Sequence, residues 1–402
     1  MKRNKSIVGC LIVFTIMLVF AGPGMAADPI KVGVLHSLEY PYAEMMKNSF
    51  EMALSCINQE GGVNGRPIQL VYGNDQGKTK TGTATVRQLV RDQNVVMLVG
   101  AYQSSNTLSM ALTAERLDRP LLVSTAADDR VTQRKWKNVF RLNPPAGDYA
   151  SGLEQFFAEY IQPRSMAIIY ENSPFGTGGA LQMMWFCREN DIDLVRIIPY
   201  LKEKAQNEAI GSPYFIKLLS PLKDDPPEVI YMVSYLEDAA LLVKKINELG
   251  LPSLLCGGAG GFTHYKFVKK AGKLAENIVT ASLWAPQLRY HGTRDYYEKY
   301  IEAYNVPPDY HGAEAYSALL VVADALKRAN SLQPADIRTA LNQTNRMTPF
   351  GPVRFKAYKE YQRQNRLPTV VLQIHNGQFD CIYPFQHASA KFTAKPGWRK
   401  SK

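Results

Sequence analysis

Residues 95–107, VVMLVGAYQSSNT, constrain this chain more than any other stretch. Val95, Val96, Met97, Leu98 and Val99 form an apolar run without alternation, which suits a strand covered on both faces and hence a parallel sheet flanked by helices. Gly100 ends the run, and Ala101, Tyr102 and Gln103 lead into Ser104 and Ser105, after which Leu108, Ala111, Leu112 and the 115–117 turn recur at helical spacing. A helix starting there leaves its first NH groups unpaired beyond the strand's carboxyl end, where the helix dipole favours an anion such as a carboxylate. The junction is therefore a candidate small-molecule site. The plainer reading is that the two serines cap the helix.

The same alternation runs through most of the chain. Strands are predicted at 30–35, 68–72, 95–99 and 120–124, with helices over 46–57, 83–91 and onward from Ser104; Gly61 and Gly62 stop the first helix. A second unit follows Asn143, Pro144 and Pro145, with helices at 148–160, 178–189, 207–219 and 237–249 interleaved with strands at 166–170, 194–200, 228–233 and 253–256. After a pause around 280–284 come helices at 293–304, 312–329 and 334–341, and PTVVLQIHNGQFDCIYP reads as a hairpin turning at Asn376 and Gly377. Such repetition forces mostly parallel sheets with helices on both faces. The expected fold class is α/β, in two Rossmann-like lobes whose strand ends face a common cleft where a ligand would bind. A single large α/β enzyme domain is the competing architecture.

The first 26 residues read as a secretory signal peptide, in which Lys2, Arg3 and Lys5 precede an apolar run at 7–20 and cleavage falls near Ala26. An uncleaved anchor is the alternative, although the run is short for a membrane span. Three of the eleven net positive charges belong to this segment and five more (Lys391, Lys395, Arg399, Lys400, Lys402) to residues 391–402, so the body carries only +3. A nucleic-acid partner would need the excess on one folded face and is not expected; the basic tail is read as frayed. Cys56, Cys187, Cys256 and Cys381 are far apart without a CxxC pair, so buried free thiols are expected, with one bridge left open.

No catalytic or metal-binding constellation emerges. GNDQGKT at 73–79 has Tyr72 where a phosphate loop needs its first glycine. SxxK at Ser220 and Lys223 and KTG at 80–82 are reversed relative to penicillin-recognising enzymes, with no SDN between them. The six histidines (His36, His264, His291, His311, His375, His387) show no HExxH or paired spacing, and no GxSxG elbow exists. GGAGG at 257–261 reads as a close-approach or flexible loop. His36, in the first cleft-facing loop, is either a solute contact or an exposed loop residue. The chain is read as a non-enzyme with no cofactor and no metal.

Taken in order, IKVGVLHSLEYPYA, INQEGGVNGRPIQLVYGND, LVGAYQSSNTLSMA, RPLLVSTAADD, VFRLNPPAGDYASGLEQF, AIIYENSPFGTG and TPFGPVRF resemble the type I periplasmic solute-binding proteins of ABC transporters, above all their leucine/isoleucine/valine-binding group. The resemblance covers about residues 29–384. It implies two lobes joined by three crossovers near Pro144, Ser282 and Thr348: lobe 1 from 27–145 and 284–347, lobe 2 from 146–283 and 348–390, and a basic tail at 391–402. It also implies a periplasmic monomer that hinges shut over an amino acid or related small carboxylate and then docks on an inner-membrane ABC permease.

Carried over by position, Tyr102, Gln103 and Ser104 match the strand end that grips a ligand carboxylate. Ala126 and Asp128 match the loop that meets a ligand amino group, Tyr42 the first-loop aromatic, and Phe175 and Tyr235 aromatics that lobe 2 brings down. One departure stands out. The family's amino-acid binders place an acid after the last strand of lobe 2, whereas this chain has CGGAGGF from Cys256 to Phe262. An unpaired buried ammonium is costly, so either Asp128 supplies the countercharge or the ligand is an aromatic or aliphatic carboxylate, or an amide, without one. Tyr40, Tyr42, Tyr102, Phe175, Tyr235 and Trp284 are candidates to line such a pocket, or core aromatics. A ligand-sensing receptor module and an α/β hydrolase are the alternative functions.

Overall fold

In the computed structural model, which describes residues 28–207, 209 and 211–398, the first unit supplies five parallel strands. They are β1 (Ile30–His36), β2 (Ile68–Asn74), β3 (Met97–Gly100), β4 (Leu121–Val123) and β5 (Val139–Arg141), ordered β5-β4-β3-β1-β2. The second unit supplies β6 (Ser165–Glu171), β7 (Asp193–Tyr200), β8 (Val229–Val233), β9 (Leu254–Gly257) and β10 (Val279–Ser282), ordered β10-β9-β8-β6-β7. Counted from each unit's own first strand, the two orders are identical. Each therefore reverses direction between its first and third strands, which opens a crevice at their carboxyl ends. The continuous apolar runs are explained by burial: Met97, Leu98 and Val99 are fully enclosed, as are all five residues of β8. β10 fills the segment where the sequence pattern pauses, and β5 completes the first sheet.

The remaining strands return to both sheets. β11 (Arg346–Thr348) and β12 (Gly351–Val353) form a separate ribbon. β13 (Lys356–Tyr358) and β14 (Tyr361–Gln364) extend the first sheet, with Gln364 opposite Arg141. β15 (Val370–His375) and β16 (Gln378–Tyr383) extend the second, turning at Asn376 and Gly377 as expected. The third passage between sheets thus falls at 365–369 rather than near Thr348, and residues 356–364 go with the first sheet. The cause is local: the fully buried Arg141 guanidinium needs acceptors, and its Nε donates to Gln364 Oε1 at 2.6 Å while Gln364 Nε2 donates to Asn143 O at 2.6 Å.

Two more expectations change. The 148–160 helix divides into a 3-10 turn (Ala146–Asp148), an α-helix (Ser151–Phe156) and a π-turn (Phe157–Ile161). The tail is docked, not frayed, as far as Trp398: the Phe392 ring packs 5.8 Å from Phe156, Lys395 Nζ donates to Leu251 O at 3.3 Å and Trp398 Nε1 to Glu228 O at 2.9 Å. Its two large aromatics, Phe392 and Trp398, anchor it by apolar burial. The signal-peptide segment 1–26 lies outside the described residues, as do 399–402. The four cysteines among the described residues are free, three of them buried. Among the described residues no helix is long and apolar enough to cross a membrane.

Candidate functional site

The crevice of the first sheet opens between β1 and β3. Gly100 sits there at φ +111°, and a Cβ on it would stand 2.5 Å from Leu35 O, so only glycine lets the two strand ends approach. Ala101 follows at φ +68°, a strained backbone for a residue with a side chain. The helix Ser104–Arg116 begins next, but its cap position is Gln103, and neither serine caps it. Ser104 Oγ instead accepts from Ala127 N at 3.1 Å, tying the loop after β3 to the loop after β4. Its hydroxyl proton remains available for a ligand.

Opposite stand the strand ends of the second sheet. Phe175 follows β6 and Tyr235 follows β8, the two strands at that sheet's own crevice. Between them runs the GGAGG loop, read correctly as a close approach: Gly260 is at φ +56°, and a Cβ there would stand 2.8 Å from the Phe175 ring. The two walls enclose a cavity of about 20 Å³, room for roughly one water. Its lining comes from both sheets: Tyr102, Ser104, Thr125 and Ala127 on one side, Phe175, Tyr235 and Gly260 on the other, with Tyr149 from the first crossover and Tyr310 and His311 from the helix Tyr310–Arg328. Bonds cross between the walls, Tyr42 Oη donating to Gly260 O at 3.1 Å and Gly260 N to Tyr310 Oη at 3.2 Å.

His311 is the most tightly held group. Its ring stacks 3.9 Å from Tyr42 and 3.9 Å from Tyr310, and its Nδ1 bonds Asp309 Oδ1 at 3.0 Å. Asp309 also accepts from Thr263 Oγ1 at 3.2 Å. Burial alone would push the Asp309 carboxyl up, but the adjoining His311, through charge and hydrogen bonds, and His264 hold it below its usual range. With Nδ1 committed, Nε2 is the His311 nitrogen left for the cavity. Burial keeps the phenols of Tyr42, Tyr102, Tyr149, Tyr235 and Tyr310 protonated, well above their ordinary pKa. Glu314, one turn beyond Tyr310, is fully buried; Thr125 lies near, but neither carboxylate oxygen has a partner in hydrogen-bond geometry, and burial raises its pKa far above 4.5. At the mouth, Lys202 Nζ lies 5.0 Å from the Tyr40 ring and 5.7 Å from the Tyr235 ring.

Of the residues singled out in the sequence, Tyr102, Ser104, Phe175 and Tyr235 meet at the cavity. Tyr42 stands one layer behind, stacked on His311. Gln103 turns to Asn106, whose Nδ2 donates to its Oε1 at 3.1 Å. The Ala126 carbonyl faces Arg141 Nη1 at 3.5 Å. Asp128 is forked to Arg130 (Oδ1 from Nε at 3.0 Å, Oδ2 from Nη2 at 2.7 Å). Tyr40 packs 5.1 Å from Tyr102 outside the lining, and Trp284 lines a different cavity. His36 is neither an exposed loop residue nor a cavity residue; it is buried with both ring nitrogens unpartnered, which lowers its pKa to about 4. Sequence reasoning missed Tyr149, Tyr310 and His311. The available signal was Asp309 capping a helix whose apolar face carries a histidine and a glutamate.

The profile described as "Periplasmic binding protein" matches residues 29–378. This chain belongs to the periplasmic binding protein family. Among its relatives, the Leu/Ile/Val-binding protein homolog 7 of Brucella melitensis is 25% identical over 395 residues, covering 93% of this chain and 96% of the relative. The leucine-, isoleucine-, valine-, threonine-, and alanine-binding protein of Pseudomonas aeruginosa is 25% identical over 346 residues, 84% and 88% of the two chains. Solved neighbours confirm the fold. The Streptococcus pneumoniae branched-chain amino acid substrate-binding protein LivJ, in complex with isoleucine, superposes with TM-score 0.77 at 20% identity, covering 87% of this chain and 97% of its own. A solute-binding protein from R. palustris in complex with benzoate gives 0.75 at 17%, covering 92% and 98%. Its family is one of binding proteins rather than enzymes, and its curated relatives carry names for Leu/Ile/Val binding.

Proposed function

We propose that this protein is the solute-binding component of an ABC importer, delivering its load to an inner-membrane permease, and that its halves hinge shut on a small carboxylate held between them; the present arrangement leaves room there for about one water, so the halves part to admit it. The observation that carries the reading is the meeting of both crevices at one cavity, with the amino end of helix Ser104–Arg116, the Ser104 hydroxyl and His311 on one wall and aromatic rings on the other. Helix NH groups, a hydroxyl and an imidazole all suit an anion. No carboxylate lines the cavity and Asp128 is committed to Arg130, so the favoured ligand is an aromatic or aliphatic carboxylate without an ammonium. A neighbour's complex with benzoate is in keeping with that. Neighbours described as ABC-transporter substrate-binding proteins support import over sensing.

A second reading, an amino acid, is favoured by Glu314. A fully buried carboxyl without a partner, one turn from two lining residues, would gain a countercharge from a ligand ammonium. One panel tests both readings: the mature protein is melted with benzoate, with isoleucine and with 3-methylpentanoate, the deaminated isoleucine. A ligand at about 100 times its Kd adds about 2.7 kcal/mol, so a saturating shift with at least one carboxylate is expected. No shift with any carboxylate overturns the site; isoleucine outbinding 3-methylpentanoate replaces the first reading by the second.

A further inference from the structure

We propose a second small-molecule site on the far side of Asp309, in the cavity between the second crossover and the hairpin β15–β16, and that it takes a small arylalkylamine whose binding is coupled to the cleft. The cavity measures about 330 Å³, within the range of ligand pockets and far larger than the cleft cavity. Both halves build it: Trp284, Tyr297 and residues 307–309 on one side, Thr263, Tyr265 and residues 377–380 on the other.

Its chemistry selects the ligand. The rings of Tyr265, Trp284, Tyr297 and Phe379 offer faces to a flat apolar group and to a cation. Two carboxylates, Asp309 and Asp380, line it, and no Lys, Arg or His does. Two basic side chains stand beside it without lining it: the His375 imidazole, whose Nδ1 is bonded to Asp380 at 3.1 Å, and Lys266, 5.9 Å from the Tyr265 ring. Gln287 Oε1, also in the lining, is buried without a hydrogen-bond partner and lacks a donor. An ammonium joined to an aromatic ring answers all three features.

Asp309 is the shared wall. It lines this cavity, accepts from Thr263 of the opposite half, and bonds the Nδ1 of His311, which lines the cleft. An occupant that draws on Asp309 changes the hold on His311, and one that touches both halves binds their different arrangements unequally. The coupling rests on the proposed reading of the cleft; occupancy of the cavity does not.

Titration of the mature protein with 2-phenylethylamine, followed by the emission of Trp284, is expected to give a saturable change that disappears in Trp284→Phe. Gln378→Lys, at the exposed rim, and Pro307→Arg, from the other half, place a like charge beside the ammonium and should each weaken binding about tenfold without moving the melting temperature. No saturable change up to about 10 mM, or equal binding by both charge variants, overturns the site. Repeating the titration with saturating benzoate or isoleucine should shift the amine's Kd; an unchanged Kd with a ligand demonstrably in the cleft overturns the coupling. Because emission needs no cleft ligand, failure of the cleft reading and failure of this site give different results.

Discussion

Across the cavity, the wall built on the first sheet holds Ser104, the amino end of its helix and the Asp309–His311 pair, whereas the wall built on the second brings Phe175, Tyr235 and a glycine backbone. The difference does not continue into the bodies behind them. In the first half, Arg141 donates to Gln364, Thr132 and the Asp128 carbonyl and Asp128 is forked to Arg130, but Asp129 Oδ1 and both Glu314 oxygens lack partners and burial raises both carboxyls. In the second half, Glu154 Oε1 has no partner and Oε2 meets only Gln182 Nε2 at 3.4 Å, so burial lifts this carboxyl to about 7; burial likewise lifts Asp238 to about 6. The walls differ in polarity, the first polar and the second largely apolar, while acids lifted by burial stand in both bodies.

The largest expected effect concerns the bodies and is read in stability. For Glu154 the folded pKa lies above the unfolded one, so the folded state holds its proton longer, and stability falls as pH rises from about 4.5 to 7. At roughly 1.36 kcal/mol per pKa unit, the penalty well above pH 7 is on the order of 3 kcal/mol. Glu154→Gln, which keeps the contact with Gln182, should stabilise the protein by up to that amount at pH 8 and by almost nothing at pH 4 in urea unfolding. Equal effects at both values would show that Glu154 is not an uncompensated buried acid.

The next effect concerns the walls themselves. Ser104→Ala removes a ligand donor and leaves the buried Ala127 N–H without its acceptor, a loss of about 1–3 kcal/mol. Calorimetry with benzoate and benzamide should show the variant losing most for the carboxylate. Phe175→Leu should weaken both ligands about equally, because it removes only apolar contact. If Phe175→Leu instead discriminates between the two ligands, polar recognition is not confined to the first wall.

Much of this plan was legible beforehand because strands buried on both faces are continuous apolar runs, and 95–99 and 229–233 have no other use. One junction was legible for the same reason: a strand end, a glycine and a helix start fix where Ser104 emerges, whereas Phe175 was reached only through the family resemblance of SPFGTG. What escaped depends on contacts distant in the chain. β5 is only three residues long, and β13–β14 join the first sheet because Gln364 answers Arg141, 223 positions away. Tyr310 and His311 enter the site because their helix packs against the helix Ala43–Gln59, which neither segment's own pattern reveals. Whether Asp128 is free to act as a countercharge was left open by the sequence, and its partner Arg130, two residues away, is a contact that no periodicity reveals.

The smallest effect tests whether the two walls are fastened at their rim. Lys202 follows β7 in the second half, and its ammonium sits between the ring of Tyr40, from the first half, and that of Tyr235, from its own. No carboxylate lies within ion-pairing distance of it among the described residues. A cation between rings at a partly exposed site is worth about 0.5–1 kcal/mol, present only while the halves touch. Lys202→Met keeps the methylene stem and removes the charge, so ligand dissociation should quicken about two- to fivefold with association unchanged. In a double-mutant cycle Tyr40→Leu and Lys202→Met should couple, because either alone dissolves the same contact. Additive losses would mean that Lys202 acts only within its own half, and that the rim is held by Tyr42 and Gly260 alone.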